Sequence, residues 1–482
     1  MKNASQYIWG LLGRFSPSLI YLITTIILAR VLTPDDFGVI GILSILFMVA
    51  DVLVDAGLGG SLIKEKTITD ADCHTIFSFC VFVSILLYSV VFFLSPYLED
   101  YYVIEDLAFI AQLISLTFVI NSFSLVPQAL LMRNLKFREL FIISLVSTLI
   151  AAIISVVTGF LGAGVYALVI YRIVLSTFKS LLSVLYSKYR YCFVFSVKSL
   201  KRLLPFGLYS SLSSVIDTIY ENLLASIFGK TMGAKVSGVF YQAKKTEETI
   251  TSSLATTIGQ VAFPILTPLK NNKSDFSKET HSIMSSICGI LFPLVLLMSV
   301  YSKEIIHCLY GSQWDASAPF FRLLLYAGCL MIMENLNRSF IKALGNGKLL
   351  FATSIIKRSL GITILLAVFF FDSHFLVEAY ILCSLLGYLV NQVAVTSYLK
   401  TSFIDDLWVS IKIMIPSILM LLLYQWIYDN FADFMVQALS YAILLIFYYM
   451  VCLPMLGVRI VRDKVVQLYH QAIETYAGKN KD

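Results

Sequence analysis

Charge is what this sequence has least of. Only 14% of its 482 residues are Asp, Glu, Lys or Arg, against 58% hydrophobic, and the mean hydropathy is +0.83. A soluble domain of this length could not cover so much apolar surface with so few charges, so the composition excludes one and points to a polytopic membrane protein. Long polar loops are lacking too: no stretch between apolar runs exceeds roughly 20 residues, so no soluble domain is inserted. The eight cysteines stand singly with no C-x-x-C pair, which supports neither a disulfide framework nor a zinc site. The five histidines (His74, His281, His307, His374, His470) are scattered, and each reads as a packing or interfacial residue rather than a metal ligand. The first apolar run is too long for a signal peptide and no small-residue cleavage site follows it, so no cleavable signal is expected. The net charge of +6 matters through its placement in short loops and implies no nucleic-acid partner.

What is present is apolar runs. A bilayer-spanning helix needs about 20 mostly apolar residues, and about 14 segments meet that length. They cover roughly 8–32, 37–62, 73–95, 106–131, 140–160, 163–186, 204–228, 236–266, 281–300, 318–343, 350–371, 374–399, 408–428 and 434–455. The fold class is therefore an all-α polytopic membrane protein. The eighth segment is unusually polar, with Lys244, Lys245, Glu247 and Glu248, and Pro264 and Pro268 punctuate its end. The 14% aromatic share fits lipid-facing packing and interfacial belts, and no sugar-stacking site is built from it.

Alternate loops differ in charge. One set is basic: Lys64 and Lys66; Arg133, Lys136 and Arg138; Lys188, Arg190, Lys198, Lys201 and Arg202; Lys270, Lys273 and Lys278; then Arg459, Arg462 and Lys464. The other set is acidic or neutral, as at Asp35 and Asp36, Glu99 to Asp106, Asp372, Asp429 and Asp433, with Lys230, Lys235 and Lys303 as exceptions. The positive-inside rule then places both termini in the cytoplasm, which agrees with an even number of spans. Residues 458–482 read as a cytoplasmic tail with an amphipathic helix, since Val461, Val465, Leu468 and Ala472 recur at helical spacing.

An internal echo organises the chain. Leu28-Ala29 leads to Leu32 and then Phe37-Gly38-Val39; Leu224-Ala225 leads to Phe228-Gly229 and then Ser237-Gly238-Val239. Both are span–turn–span hairpins on the same side, which suggests parallel repeats. The expected organisation is an N-lobe at 1–186, a basic cytoplasmic linker at 187–203, a C-lobe at 204–400, two further spans at 401–457, and the tail.

Charges inside spans are costly and normally face a polar cavity or a partner. The candidates for a cavity are Arg14, Asp51, Asp55, Arg172, Asp217, Glu221, Asn222, Lys244, Lys245 and Arg338. Asp217 and Glu221 are four apart and share a helix face. Pro17, one turn after Arg14, removes a backbone donor and is expected to disrupt the first span there. Bland readings stand beside these. Asp51 or Asp55 can pair with Arg14 and hold helices together. Lys179, Lys342, Lys357 and Arg358 can snorkel to the cytoplasmic headgroups, and Arg30 and Asp36 lie near the outer interface, where charge costs little. Cations suit a phosphate or pyrophosphate; acids and amides such as Asn222, Gln242, Asn335 and Asn337 suit sugar hydroxyls; a membrane carboxylate can also hold a proton or sodium ion. Spacing leaves these roles open.

The stretches ILARVLTPDDFGVIGI, DAGLGGSLIKEKTITDADCHTIF, PQALLMRNLKF, GAGVYALV, PFGLYSSLSSVIDTIYENLLASIFG, SGVFYQAKK, VAFPILTPLK and YGSQWDASAPFFRLL, in this order, resemble the bacterial polysaccharide transporters. These are lipid-linked oligosaccharide flippases of the multidrug/oligosaccharidyl-lipid/polysaccharide exporter superfamily, and the likeness is to the colanic-acid and teichuronic-acid exporter branch. The resemblance covers roughly residues 8 to 345. It implies two six-helix lobes around a central cavity that alternates between faces of the bacterial inner membrane, two C-terminal helices, and export of undecaprenyl-pyrophosphate-linked oligosaccharide units. It also implies that cavity cations contact the pyrophosphate, with Arg14 and then Lys245 the positional candidates. Asp55 falls in the family's D-x-G-like stretch, while Lys244-Lys245-Thr246-Glu247-Glu248 and Ser237-Gly238-Val239-Phe240-Tyr241 depart from the family pattern. No cofactor is expected, with Na+ or H+ as a coupling ion left open. The expected partners are the lipid-linked oligosaccharide and membrane lipids, with a polysaccharide polymerase and chain-length machinery alongside a monomeric transporter.

Three other readings compete. A drug or small-cation antiporter of the same superfamily would share the fold but have a carboxylate-dominated cavity. A membrane-embedded polymerase or phosphoglycosyl transferase would carry a large outer loop, or clustered acids for magnesium. Here the outer loop at Tyr301 to Pro319 is short, and the pair Asp405-Asp406 reads as a solvated turn. A scaffold without transport leaves the deep charges unexplained.

Overall fold

The computed structural model describes the backbone of residues 2–455 other than 56, 66, 271, 346, 373, 374 and 432. The side chains at 2–8, 10, 11, 14, 205–210, 213, 252–264, 347, 434 and 455 are also outside this description, as is the whole expected tail at 458–482. In a bilayer every backbone amide must be satisfied within its own segment, and the described residues are accordingly helical apart from short connections, with no strand among them. In order they form α1 (Lys2–Val31), α2 (Pro34–Asp55), α3 (Leu58–Lys64), α4 (Asp70–Tyr102), α5 (Leu107–Arg133), α6 (Phe137–Phe160), α7 (Val165–Ser187), α8 (Val197–Leu266), α9 (Lys273–Val300), α10 (Ser302–Tyr310), α11 (Ser317–Ala343), α12 (Gly347–Phe371), α13 (Leu376–Leu399), α14 (Phe403–Asn430) and α15 (Phe434–Phe447). A π-helical turn (Tyr448–Cys452) and the short α16 (Leu453–Met455) close the described chain.

Among the described residues, eleven stretches are long and apolar enough to cross a membrane. With α1 and the two limbs of α8, the fourteen expected segments all fall on helices, and the chain is a multi-pass membrane protein. Two details differ from expectation, the split of the second segment and the continuity of the first. The second segment is split into α2 and α3 at Gly57, whose φ of 64° is left-handed. The seventh and eighth segments are the two limbs of α8, and the expected turn between them is made at Gly233, where φ is 86° and ψ 172°. And α1 runs through Pro17 without interruption.

Several hydroxyls within the helices are satisfied locally. Thr24 and Thr25 donate to the carbonyls of Ile20 and Tyr21 one turn back, at 2.7 and 2.8 Å. At helix starts the water-facing residues cap: Thr69 and Asp72 form a reciprocal capping box on α4, and Asn272 and Ser402 cap α9 and α14. Asp72 is also paired with Arg202 of the basic linker at 2.5 Å. Asp406 is not the solvated residue expected: it is 5% exposed, receives Thr401 Oγ1 at 2.8 Å and pairs with His281.

The chain packs as two compact units. Unit 1 is Met1–Ala243 with Ile306–Ser317, and unit 2 is Lys244–Ile305 with Ala318–Asp482. This division falls inside the expected C-lobe, because the first part of α8 packs on α2. Gly38 and Gly238 are the reason. A Cβ on Gly38 would sit 1.9 Å from the Ala234 carbonyl oxygen, and one on Gly238 would sit 1.8 Å from that of Pro34. The contact is reciprocal: 38 meets 234 and 238 meets 34, the pattern of a pseudo-two-fold axis. Ser226 Oγ donates to Ile42 O at 2.9 Å along the same seam. The two echoed hairpins thus face each other in unit 1, at positions where only glycine allows the backbones so close.

Candidate functional site

Unit 1 gathers charges from three helices. Asp51 projects from α2, Asn121 from α5, and Arg172 and Lys179 from α7, two helical turns apart and so on one face. Asn121 Nδ2 donates to Asp51 Oδ1 at 3.1 Å, and both cations of α7 act electrostatically on Asp51. The Arg172 guanidinium also lies 5.1 Å from the centre of the Phe47 ring. All four polar groups are half-buried. The cluster holds two cations for one carboxylate. Lys179, expected to snorkel, lies near enough to Asp51 for its charge to act on that carboxylate.

Asp55 has a different job. It follows Asp51 by one turn, and its Oδ1 accepts the Gly59 amide at 3.3 Å, holding the turn between α2 and α3. Asn222 is buried and donates to its own helix, at the Thr218 carbonyl, 2.9 Å away. Asp217 is half-buried and Glu221 exposed. The side chain of Arg14 lies outside the described residues, so only its place in α1 is known.

Unit 2 contains a larger network, buried more deeply. Lys244, 4% exposed, donates from Nζ to the Tyr380 hydroxyl of α13 at 2.8 Å and lies 3.4 Å from Glu248 Oε1. Lys245 Nζ is 2.6 Å from the other oxygen of the same carboxylate. Glu247, 1% exposed, accepts Thr251 Oγ1 at 2.7 Å, and its Oε1 occupies the space that a side chain at Gly328 of α11 would need. Four helices meet here, and Tyr380 links the charges of α8 to Arg358 of α12.

A second set of charges lies beside it, and there Lys357 and Arg358 depart from the expected headgroup position. Glu334 of α11 pairs with Lys357 and lies 3.9 Å from Arg358, both on α12, with Arg338 adding its charge one turn along α11. Glu334 and Lys357 are each 4% exposed and Arg358 is 7% exposed, so the two α12 cations do not snorkel. Asn391 Nδ2 donates to the Glu334 backbone at 3.3 Å, and a side chain at Gly387 would collide with Glu334 Oε2. The missed signal was depth. Lys357 is the eleventh residue of the 25-residue α12, about 15 Å along a helix that rises about 1.5 Å per residue, too deep for a lysine to reach either surface. Of the candidates, then, Asp51 and Arg172 are brought together in unit 1, and Lys244, Lys245 and Arg338 join one network in unit 2.

Comparison with known proteins adds the following. A family model described as polysaccharide biosynthesis protein matches residues 27–319. Teichuronic acid biosynthesis protein TuaB of Bacillus subtilis (strain 168) is 22% identical over 345 residues, 71% of each chain. Succinoglycan biosynthesis transport protein ExoT of Rhizobium meliloti (strain 1021) is 23% identical over 433 residues, covering 88% of this chain and 86% of that one. Among solved structures, the lipid II flippase MurJ in its inward closed conformation superposes with a TM-score of 0.73 at 15% identity, over 93% of this chain and 99% of that one. At that identity the superposition speaks to a shared fold.

Proposed function

Because this chain belongs to the polysaccharide biosynthesis protein family, we propose that it moves lipid-linked oligosaccharide units across the bacterial inner membrane for surface polysaccharide synthesis. The anchor is undecaprenyl pyrophosphate, the cycle is alternating access, both termini are cytoplasmic, and the protein carries out transport without catalysis. A polymerase and chain-length machinery would take up the exported unit.

One observation carries this reading over a small-cation antiporter of the same fold: cations outnumber carboxylates in each of the two charge clusters. Unit 1 sets Arg172 and Lys179 against Asp51. Unit 2 sets Lys244, Lys245, Arg338, Lys357 and Arg358 against Glu247, Glu248 and Glu334. A site for a cationic drug needs the opposite balance, whereas a pyrophosphate is held by lysine and arginine. The half-buried Arg172–Lys179 face is the better pyrophosphate contact, since it is cationic in excess and still reachable. The Glu334 centre, fully occupied by its own partners, is a packing element. A proton or sodium gradient drives the cycle, with Asp51 and Glu247 the carboxylates able to take up either ion.

The direct test is a deletion strain. It should accumulate lipid-linked oligosaccharide in the inner leaflet and lose surface polysaccharide, with both restored by the wild-type chain. Normal surface polysaccharide in the deletion strain, with an altered tolerance to cationic drugs, would favour the antiporter instead.

A further inference from the structure

Two cations at the acidic-loop end of the molecule are left without a role by the transport reading. Arg30 ends α1, and Lys230 stands at the break of α8. Lys230 is also an exception to the loop-charge rule. Arg30 Nε donates to the Leu309 carbonyl at 3.1 Å and Nη2 to that of Cys308 at 2.5 Å. Lys230 Nζ donates to the Tyr101 carbonyl and lies 4.0 Å from the centre of the Tyr101 ring.

The two contacts mirror each other. Arg30 and Lys230 are 200 positions apart, as are Gly38 and Gly238. Arg30, on the first hairpin, reaches α10, just after the third span of the second half. Lys230, on the second hairpin, reaches the end of α4, the third span of the first half. Each hairpin therefore carries one cation that grips the outer loop of the opposite half. Around Arg30 the grip is reinforced: Trp314 Nε1 and Gln313 Nε2 both donate to the Ala29 carbonyl at 2.6 Å, and Phe37 meets the Trp314 ring edge-on at 5.2 Å. That carbonyl is one of the orphan acceptors of the α1 terminus.

The chemistry of these grips is reversible. Each cation is exposed and held by backbone carbonyls, with no carboxylate paired to either among the described residues. Water can replace a carbonyl at an exposed ammonium or guanidinium far more readily than it can separate a buried ion pair. A permanent clamp would use the Glu334–Lys357 arrangement of unit 2.

We propose that Arg30 and Lys230 are paired straps that close the hairpin seam at this end and are released in every transport cycle. The proposal rests on the alternating-access reading above, and its test separates the two. Ser237 lies beneath the seam, fully buried, donating to Ala225 O at 2.7 Å. In a chain with Cys192, Cys308 and Cys452 replaced by Ser, Ser237→Cys reports opening to a membrane-impermeant thiol reagent, applied to intact cells and to inverted vesicles. Labelling should be slow, and Arg30→Ala with Lys230→Ala should speed it at least tenfold from one face only. Arg30→Lys with Lys230→Arg should leave it slow. An unchanged rate in the double alanine variant overturns the proposal. Bridging Arg30→Cys to the native Cys308 with a cleavable bifunctional thiol reagent should stop export, and reduction should restore it. Undiminished export by fully bridged protein also overturns the straps, while leaving the transport reading intact. Failure of the wild-type chain to restore export to the deletion strain defeats the transport reading itself.

Discussion

Glu334, Lys357 and Arg358 show how far a single charge can be judged from its neighbours in sequence. The pair Lys357-Arg358 invited a headgroup reading, but its depth in α12 required an internal partner, and Glu334 supplies it from α11. Removing one member of a buried ion pair leaves the other uncompensated, which costs about 3–5 kcal/mol. Glu334→Ala should therefore lower the thermal midpoint of the detergent-purified protein sharply. Glu334→Gln combined with Lys357→Met should recover much of the loss, because no bare charge remains; a double variant no better than the single one would contradict the packing role. Arg172 behaves differently. It is half-buried and shares Asp51 with Lys179, so Arg172→Ala should leave expression near normal while export falls at least tenfold. Asp51 and Arg172 were legible as candidates because charged groups in apolar runs stand out. Their partnership with Asn121 and Lys179 was not, since nothing in one sequence says which helices become neighbours.

At the scale of elements, the hairpin echo was the most informative pattern. It identified Phe37-Gly38-Val39 and Ser237-Gly238-Val239 as equivalents, and the backbone places them on one seam. What it could not give was their direct mutual contact. The turn it did predict between the seventh and eighth segments is made at Gly233, whose φ of 86° favours glycine. Gly38→Val and Gly238→Val should each fail to give stable protein, and by similar margins, because each would drive a side chain into a carbonyl oxygen of the opposing hairpin. Protein level in the membrane fraction checks this. Normal amounts of either variant would contradict the close seam. The expected disruption at Pro17 did not occur, and α1 continues through it.

At the scale of the whole molecule, composition and loop charge were sufficient for the class: a multi-pass helical protein of about fourteen spans, two echoed hairpins and a polar interior with charges of both signs. The order of motifs supplied the family. The division of the chain into its two units was not legible, because residues 204–243 belong by repeat to one half and by contact to the other. The central claim is that the cations of unit 1 carry a pyrophosphate-linked lipid. It is tested most directly in proteoliposomes loaded with an undecaprenyl-pyrophosphate oligosaccharide, by following how fast the sugar moves between leaflets. The wild-type chain should translocate it, and the Arg172→Ala, Lys179→Ala double variant should be at least tenfold slower at equal protein. Equal rates for the two proteins would contradict the account.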